Sequence, residues 1–286
     1  MANLKEIRNR IASVSSTMQI TSAMKMVSAA KLKKAQDAIT AMRPYADKLT
    51  ELLQSLSASL DADSGSKFSD NREVRKVLVV AITSNRGLCG AFNTNIIKQG
   101  LELTNEVYTD KQVDFLCIGK KANDILGKKH NVIANHSAVF DELTFDNVAL
   151  VAEELMSLFV DGTYDKIEIV YNKFKNAATQ IVMTEQFLPI VPVEGKTESN
   201  TDYIFEPSKS EIVEQLIPKS LKTQLFKSVR DSFASEHGAR MTAMHKATDN
   251  ATELRDQLKL TYNKARQAAI TNEILEIVGG AEALNN

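Results

Sequence analysis

The densest cluster of chemistry-bearing residues is Thr83-Ser-Asn-Arg-Gly-Leu-Cys-Gly-Ala-Phe-Asn93, directly after an apolar, β-branched run. Two glycines and an arginine behind a strand are the residue types that cradle phosphate in α/β proteins, where backbone amides meet the anion. The stretch has neither GxGxxG nor GxxxxGK[ST] spacing, however, and Asn85-Arg86-Gly87 serves equally well as a tight turn. Asp141, Glu142, Asp146, Glu153 and Glu154 fall on a predicted helix and its approach, a pattern usual for a solvent-facing side. Cys89 and Cys117 show no CxxC spacing and lie in or beside predicted strands, which reads as buried thiols in a reducing compartment. His130, His136, His237 and His245 form no i,i+4 pair and sit near no cysteine cluster, so no metal centre is expected. Without an acid, base and nucleophile in one constellation, the expectation is no catalytic residue, no cofactor and no metal.

The 286 residues are 43% apolar with a formal net charge of −1, enough for a sizeable core and no case for nucleic acid or an anionic membrane. Locally the balance differs. Lys5, Arg8, Arg10, Lys25, Lys31, Lys33, Lys34 and Arg43 stand against only Glu6 and Asp37, a basic stripe that is either a solvated face or a surface for acidic partner loops. No apolar run reaches the eighteen residues of a membrane span, and no charged-then-apolar leader opens the chain; a soluble, intracellular protein without direct membrane insertion is expected.

The ends of the chain carry the strongest periodicity. Leu4, Ile7, Ile11, Val14, Met18, then Leu32, Ala35, Ile39, Met42, Ala46, Leu49, Leu53, Leu56 and Leu60 keep one heptad frame, the mark of a coiled-coil seam. Pro44 should kink that helix. A thinner seam, Met241, Met244, Ala247, Ala251, Leu254, Leu258, Thr261, Ala265, Ala268 and Leu275, recurs near the other terminus, and the two are expected to pair antiparallel. The N-terminal frame is broken at Thr21, Lys25 and Ser28. Because a lysine facing an apolar seam must snorkel or be neutralised, the helix pair is expected to open there and turn these residues outward.

Between the ends the texture changes. Val74 to Thr83 reads as a central parallel strand, followed by a helix from Asn93 to Tyr108, a strand at 113–118, a helix after Gly119, a helix at 146–159 and strands at 166–174 and 180–189. The fold class is therefore α/β: a long antiparallel coiled coil of N- and C-terminal helices with an inserted Rossmann-like α/β domain. The expected divisions are 1–60 for the N-terminal helix, 61–73 for a linker, 74–207 for the α/β domain and 208–286 for a C-terminal helix paired with 1–60. Ser208 and Glu211 offer a capping box at its start, Pro218 a kink, and Gly238 a soft spot costing about 1 kcal/mol relative to alanine. From Ala268 on, apolar residues lie all round that helix, and nothing in the chain is left over to enclose them.

Several of these stretches resemble the gamma subunit of F-type, proton-translocating ATP synthases. They are Lys5-Glu-Ile-Arg8, Ile20-Thr-Ser-Ala-Met-Lys-Met-Val27, Ser84-Asn-Arg-Gly-Leu-Cys-Gly90, Ala239-Arg-Met-Thr-Ala-Met244, Tyr262-Asn-Lys-Ala-Arg-Gln267 and Ile270-Thr-Asn-Glu-Ile-Leu-Glu-Ile-Val-Gly-Gly-Ala-Glu282. The resemblance spans nearly the whole chain, although Lys111 to Thr201 matches only in texture. It implies a non-catalytic rotor shaft that couples proton flow through a membrane c-ring to conformational cycling of a catalytic head of alpha and beta subunits. It further implies an epsilon subunit as neighbour and a peripheral place on the cytoplasmic face of the bacterial inner membrane. Met24, Lys25, Met26, Lys31, Lys33, Lys34, Arg266, Gln267, Thr271 and Glu273 would then contact the head. Ile270, Ile274, Ile277, Val278 and Leu284 would form a tip held in an apolar bearing. No paired-cysteine insertion of the plant chloroplast kind is present, so thiol control is not expected. A scaffold coiled coil remains as an alternative but predicts polar ends; a nucleotide-binding α/β enzyme with helical arms needs a better phosphate loop.

Overall fold

The structure, a computed structural model, describes residues 4–57, 67–70, 72–190 and 209–284. By packing it divides into two units, 1–28 with 241–286 and 29–240. Two long helices run through both: α1 at Leu4–Ser57 and α5 at Lys209–Leu284, and neither is ended by its internal proline, Pro44 or Pro218. The capping box at Ser208 and Glu211, the polar segment 195–203 and most of the expected linker fall outside the described residues or side chains.

The larger unit is built on a five-stranded sheet. Its strands are β1 (Lys76–Ile82), β2 (Gln112–Ile118), β3 (Val132–Asn135), β4 (Lys166–Phe174) and β5 (Gln180–Leu188), in the spatial order β3-β2-β1-β4-β5. All neighbours pair parallel except β4 with β5. β1 is central and buried on both faces, which is why it reads as an unbroken Val/Leu/Ile run and not as an alternation. The short edge strand β3 was not expected from the sequence: Val-Ile-Ala-Asn is four residues long and carries no turn signal of its own.

Alternation along β1 sorts the core into two. Val77, Val79 and Ala81 face α2 (Phe92–Glu102) and α3 (Lys120–Leu126), meeting Ile96, Ile97, Ala122 and Leu126. Leu78, Val80 and Ile82 face α4 (Phe145–Val160), whose Val148, Val151, Ala152, Leu155, Met156 and Phe159 make one helical stripe. The same core takes in Ile217, Leu221, Leu225 and Val229 of α5. The first part of α5 is thus a layer of the α/β unit. Aromatic contacts extend this layer: Phe226 meets Phe145 edge-on at 5.5 Å, and Phe233 stacks on Phe140 at 6.3 Å.

Two local features carry consequences. α2 passes into a π-helical turn at Leu103–Val107, which delivers Tyr108 to Lys166 and the buried Glu168; the Tyr108 hydroxyl donates to Glu168 Oε1 at 2.6 Å and accepts from Lys166 Nζ at 2.8 Å. Gly119, between β2 and α3, has φ +116°, and a Cβ there would lie 2.1 Å from the Thr83 carbonyl oxygen. Only glycine fits. Gly119→Ala should therefore cost about 3 kcal/mol or more, read as a lower urea midpoint; a loss below about 1 kcal/mol would mean that the Thr83 backbone yields.

Candidate functional site

At the carboxyl edge of the sheet, where a doubly wound protein would hold a nucleotide, the donors are already committed. Thr83 Oγ1 accepts from the Ala122 amide at 2.9 Å, the Ser84 carbonyl from Lys121 N at 3.2 Å, and Asn85 Oδ1 from Lys120 N at 3.1 Å. The first amides of α3, which would meet a phosphate, are thus taken up by the turn itself. Within the turn, the Ser84 hydroxyl donates to Arg86 O at 2.6 Å and accepts from Asn93 Nδ2 at 2.9 Å. Leu88 at its crest has φ +64° and is exposed, a strained setting for a side chain that is not glycine.

The turn is tied to α5 by Arg240, of the Ala239–Met244 stretch, whose spacing gives no sign of this role. Arg240 donates through Nη2 to the Arg86 and Gly87 carbonyls at 3.1 and 3.3 Å, and through Nη1 to Glu236 Oε1 at 2.6 Å. Its guanidinium thus occupies the carbonyl side of the turn, and both members of the ion pair are buried. Beside them Ser235 Oγ donates to the Asn172 carbonyl of β4 at 2.9 Å. Gly238 is explained here too: a Cβ would sit 3.2 Å from both Cα and O of Ala177 in the β4–β5 turn, so this is a close approach of two backbones and not a soft spot. Cys89 is buried under the same turn, and Cys117 lies inside β2, its thiol pushed up to about 12 by burial.

His237 is buried against Phe233, and burial, with Arg240 and Lys31 adding, pushes its imidazole down to about 4. A histidine lowered on folding stabilises the fold fully above its unfolded value of roughly 6.5, and that stability is lost as pH falls toward 4. Burial raises the Glu236 carboxyl, against the pull of Arg240, which gives the opposite slope around and above its unfolded value. His237 Nδ1 also lies 3.4 Å from Arg240 Nη1; His237→Gln should be less sensitive than wild type to acidification from pH 7 to pH 5, followed as urea midpoints. Equal slopes would mean that His237 is hydrated.

The smaller unit is a pair of helices. Lys25 Nζ lies 3.3 Å from His245 Nδ1, Thr21 Oγ1 lies 2.8 Å from Thr248 Oγ1, and Met18 Sδ accepts from Thr252 Oγ1 at 3.3 Å. Seven residues down α1 are matched by seven up α5, so the segments run antiparallel in heptad step. On α1 the interface follows the expected frame, Leu4, Ile7, Ile11, Val14, Met18, Thr21, Lys25, Ser28. The outward turn expected at Thr21, Lys25 and Ser28 is not observed. Thr21 and Ser28 are buried and Lys25 is half-buried. The polar atoms are satisfied instead: Ser28 Oγ donates to the Met24 carbonyl at 2.8 Å, and Thr21 and Thr248 each lie on a carbonyl of their own helix as well as on each other. Two hydroxyl protons serve three contacts there, so the bond between helices can be given up without orphaning either group.

The α5 frame needs correcting. Of the expected positions, Met241, Met244, Ala247, Ala251, Leu258 and Ala265 are covered, together with Thr248, Thr252, Arg255 and Tyr262, whereas Leu254, Thr261, Ala268 and Leu275 are exposed. Apolar periodicity found part of this interface but missed its threonine hydroxyls and the Arg255 guanidinium, which reaches Met18 Sδ at 3.5 Å.

Met24 and Lys25 are half-buried and Met26 is 65% exposed; Lys31, Lys33 and Lys34 are exposed, Lys33 pairing with Asp37 at 3.0 Å. Arg266, Gln267, Thr271 and Glu273 are exposed, as is every residue from 266 to 281, including Ile270, Ile274, Ile277 and Val278. The Leu284 side chain lies outside the described ones. The candidates do not converge: Lys25 is level with His245, about 30 Å along α5 from Arg266 at 1.5 Å per residue. They form separate bands on a pair of helices. Among the described residues no cluster could hold a metal, and no helix is long and apolar enough to cross a membrane.

Residues 3–284 match the family model described as ATP synthase. An ATP synthase gamma chain of Flavobacterium psychrophilum is 76% identical over 285 residues, covering 99% of each chain, and that of Flavobacterium johnsoniae is 73% identical over 286 residues, covering both completely. The chain belongs to the ATP synthase gamma chain family. The gamma chain fold is likewise found in a solved structure of the Euglena gracilis mitochondrial ATP synthase (OSCP/F1/c-ring, rotational state 3), with a TM-score of 0.72 at 24% identity over 98% of this chain and 94% of that one. Another, the rotor of the same enzyme in rotational state 1, has a TM-score of 0.68 over 93% and 98%. In this gamma chain the Ser84–Gly90 turn braces α5 through Arg240.

Proposed function

We propose that this gamma chain is the central rotor shaft of an F-type ATP synthase, coupling proton flow through the membrane c-ring to conformational cycling of the catalytic head in ATP synthesis or hydrolysis. It is a non-catalytic subunit, and the chemistry belongs to the beta subunits. The observation that carries the reading is the end of α5: Ile270, Ile274, Leu275, Ile277 and Val278 are all 49% to 67% exposed on a helix that belongs, over its whole length, to the gamma chain family. A helix end that exposes so broad an apolar face needs a covering partner, and a hexameric head of alpha and beta subunits offers an apolar bearing. Met24, Lys25 and Met26, with Lys31, Lys33 and Lys34, meet acidic loops of that head. Arg266, Gln267, Thr271 and Glu273 meet it nearer the tip. The α/β unit sits at the foot with the epsilon subunit and the c-ring, on the cytoplasmic face of the bacterial inner membrane as a peripheral protein. Its inserted chain is taken as 74–207, after a linker at 61–73, with the shaft segments at 1–60 and 208–286, the first part of the latter packing into the sheet's core.

The test is co-purification with the head subunits from one expression host. One copy of this chain should come down with six head subunits, while the chain purified alone should hydrolyse no ATP. Turnover that persists in the isolated chain after head subunits are removed would overturn the shaft in favour of an enzyme.

A further inference from the structure

The Nδ1 atom of His245 lies between two groups of opposite demand. Lys25 Nζ, from α1, is 3.3 Å away, and Asp249 Oδ2, one turn further along α5, is 3.4 Å away. An ammonium only donates and a carboxylate only accepts, so the same nitrogen cannot satisfy both in one protonation state. With a neutral ring, protonated at Nε2, Nδ1 accepts a hydrogen bond from Lys25. Once Nδ1 takes up a proton it becomes a donor, its contact with Asp249 turns attractive, and its contact with Lys25 becomes a repulsion between two cations. We propose that His245 is a positioning residue for Lys25, holding the ammonium against α5 when neutral and releasing it when protonated.

The setting suits an exchange of this kind. Histidine is the side chain that ordinarily changes charge between pH 5 and 8. His245 and Asp249 keep more than half of their side-chain surface in water, so the proton has free access and neither state strands a buried charge. Lys25 is half-buried, at the one point of this α1 seam where a cation replaces an apolar residue. Among the described contacts, the charged groups facing the ring are Lys25 from α1 and Asp249 from its own helix. The layers on either side do not hold Lys25 in place, because Thr21 and Ser28 are bonded to carbonyls of α1. Among the described contacts the ammonium has His245 as its partner and no other, so its release breaks no further bond there, and the lysine becomes free for an acidic group presented from outside.

The consequence for rotary coupling rests on the reading of Lys25 as a contact with the head, and the experiment separates the two. In the isolated full chain, the His245 ring is titrated by NMR between pH 5 and 8 in wild type, Lys25→Met and Asp249→Asn. Lys25→Met should raise proton affinity and Asp249→Asn should lower it, each by about two- to fivefold, the size of an exposed charge pair. Titration midpoints unmoved in both variants would overturn the latch. In the reassembled enzyme, ATP-driven proton pumping per ATP hydrolysed is then compared across the same pH range. A step in wild type that is absent from both His245→Gln and Lys25→Met supports the latch acting through a head contact. Moved midpoints with the same coupling profile in wild type and both variants would retain the latch and overturn the contact.

Discussion

Removal of residues 270–286 is expected to leave the melting temperature of the isolated chain unchanged within about 2 °C while abolishing stable assembly with the head. Every residue from 266 to 281 is exposed, so those turns make no packing that the isolated fold depends on. Five large apolar side chains on that end, half to two-thirds exposed, would each contribute about 1 to 2 kcal/mol if a partner covered what now faces water, on the order of 5–10 kcal/mol together. A loss of that size corresponds to a thousandfold or greater drop in affinity. The two measurements are a thermal melt of the truncated chain and gel filtration of its mixture with alpha and beta subunits. Comparable melting loss in isolation would show that the end of α5 packs on its own protein, and normal assembly would show that the head grips the helix elsewhere.

The largest stability effect is expected at Arg240. Replacing it by alanine removes one partner of a buried ion pair and leaves the Glu236 carboxylate without its cation and the Arg86 and Gly87 carbonyls without their donor. Breaking a buried pair from one side typically costs about 3–5 kcal/mol. Arg240→Lys should recover less than half of this, because an ammonium cannot span Glu236 and two carbonyls as the planar guanidinium does. Urea denaturation of the isolated chain reads both variants. A loss below about 1 kcal/mol for alanine would mean that water replaces the guanidinium and that the turn, with Leu88 in its left-handed conformation, is held by Ser84 and Asn93 alone.

How much of this was legible differs along the chain. The α1 seam could be read because leucine, isoleucine and valine mark a 3-4 spacing that local sequence carries by itself. Its polar break could be seen but not interpreted: Thr21 and Ser28 are buried because each hydroxyl finds a carbonyl on its own helix, which a count of polar residues at core positions does not reveal. The α5 seam was legible only in part, because Thr248, Thr252 and Arg255 owe their place in it to Thr21 and Met18, more than two hundred residues away in sequence.

Apolar periodicity by itself determined the two terminal helices, the parallel α/β unit between them and the unpartnered apolar end of α5, since each follows from which residues lie on one face of one element. The tertiary structure alone decided that Ile217 to Val229 of α5 form a layer of the sheet's core, that Arg240 braces the Ser84–Gly90 turn, and that His245 faces both Lys25 and Asp249. Except for Asp249, these partners come from distant parts of the chain, and the contacts exist because folding brings a carbonyl, a carboxylate or an ammonium to within about 3 Å, a distance that no local spacing encodes.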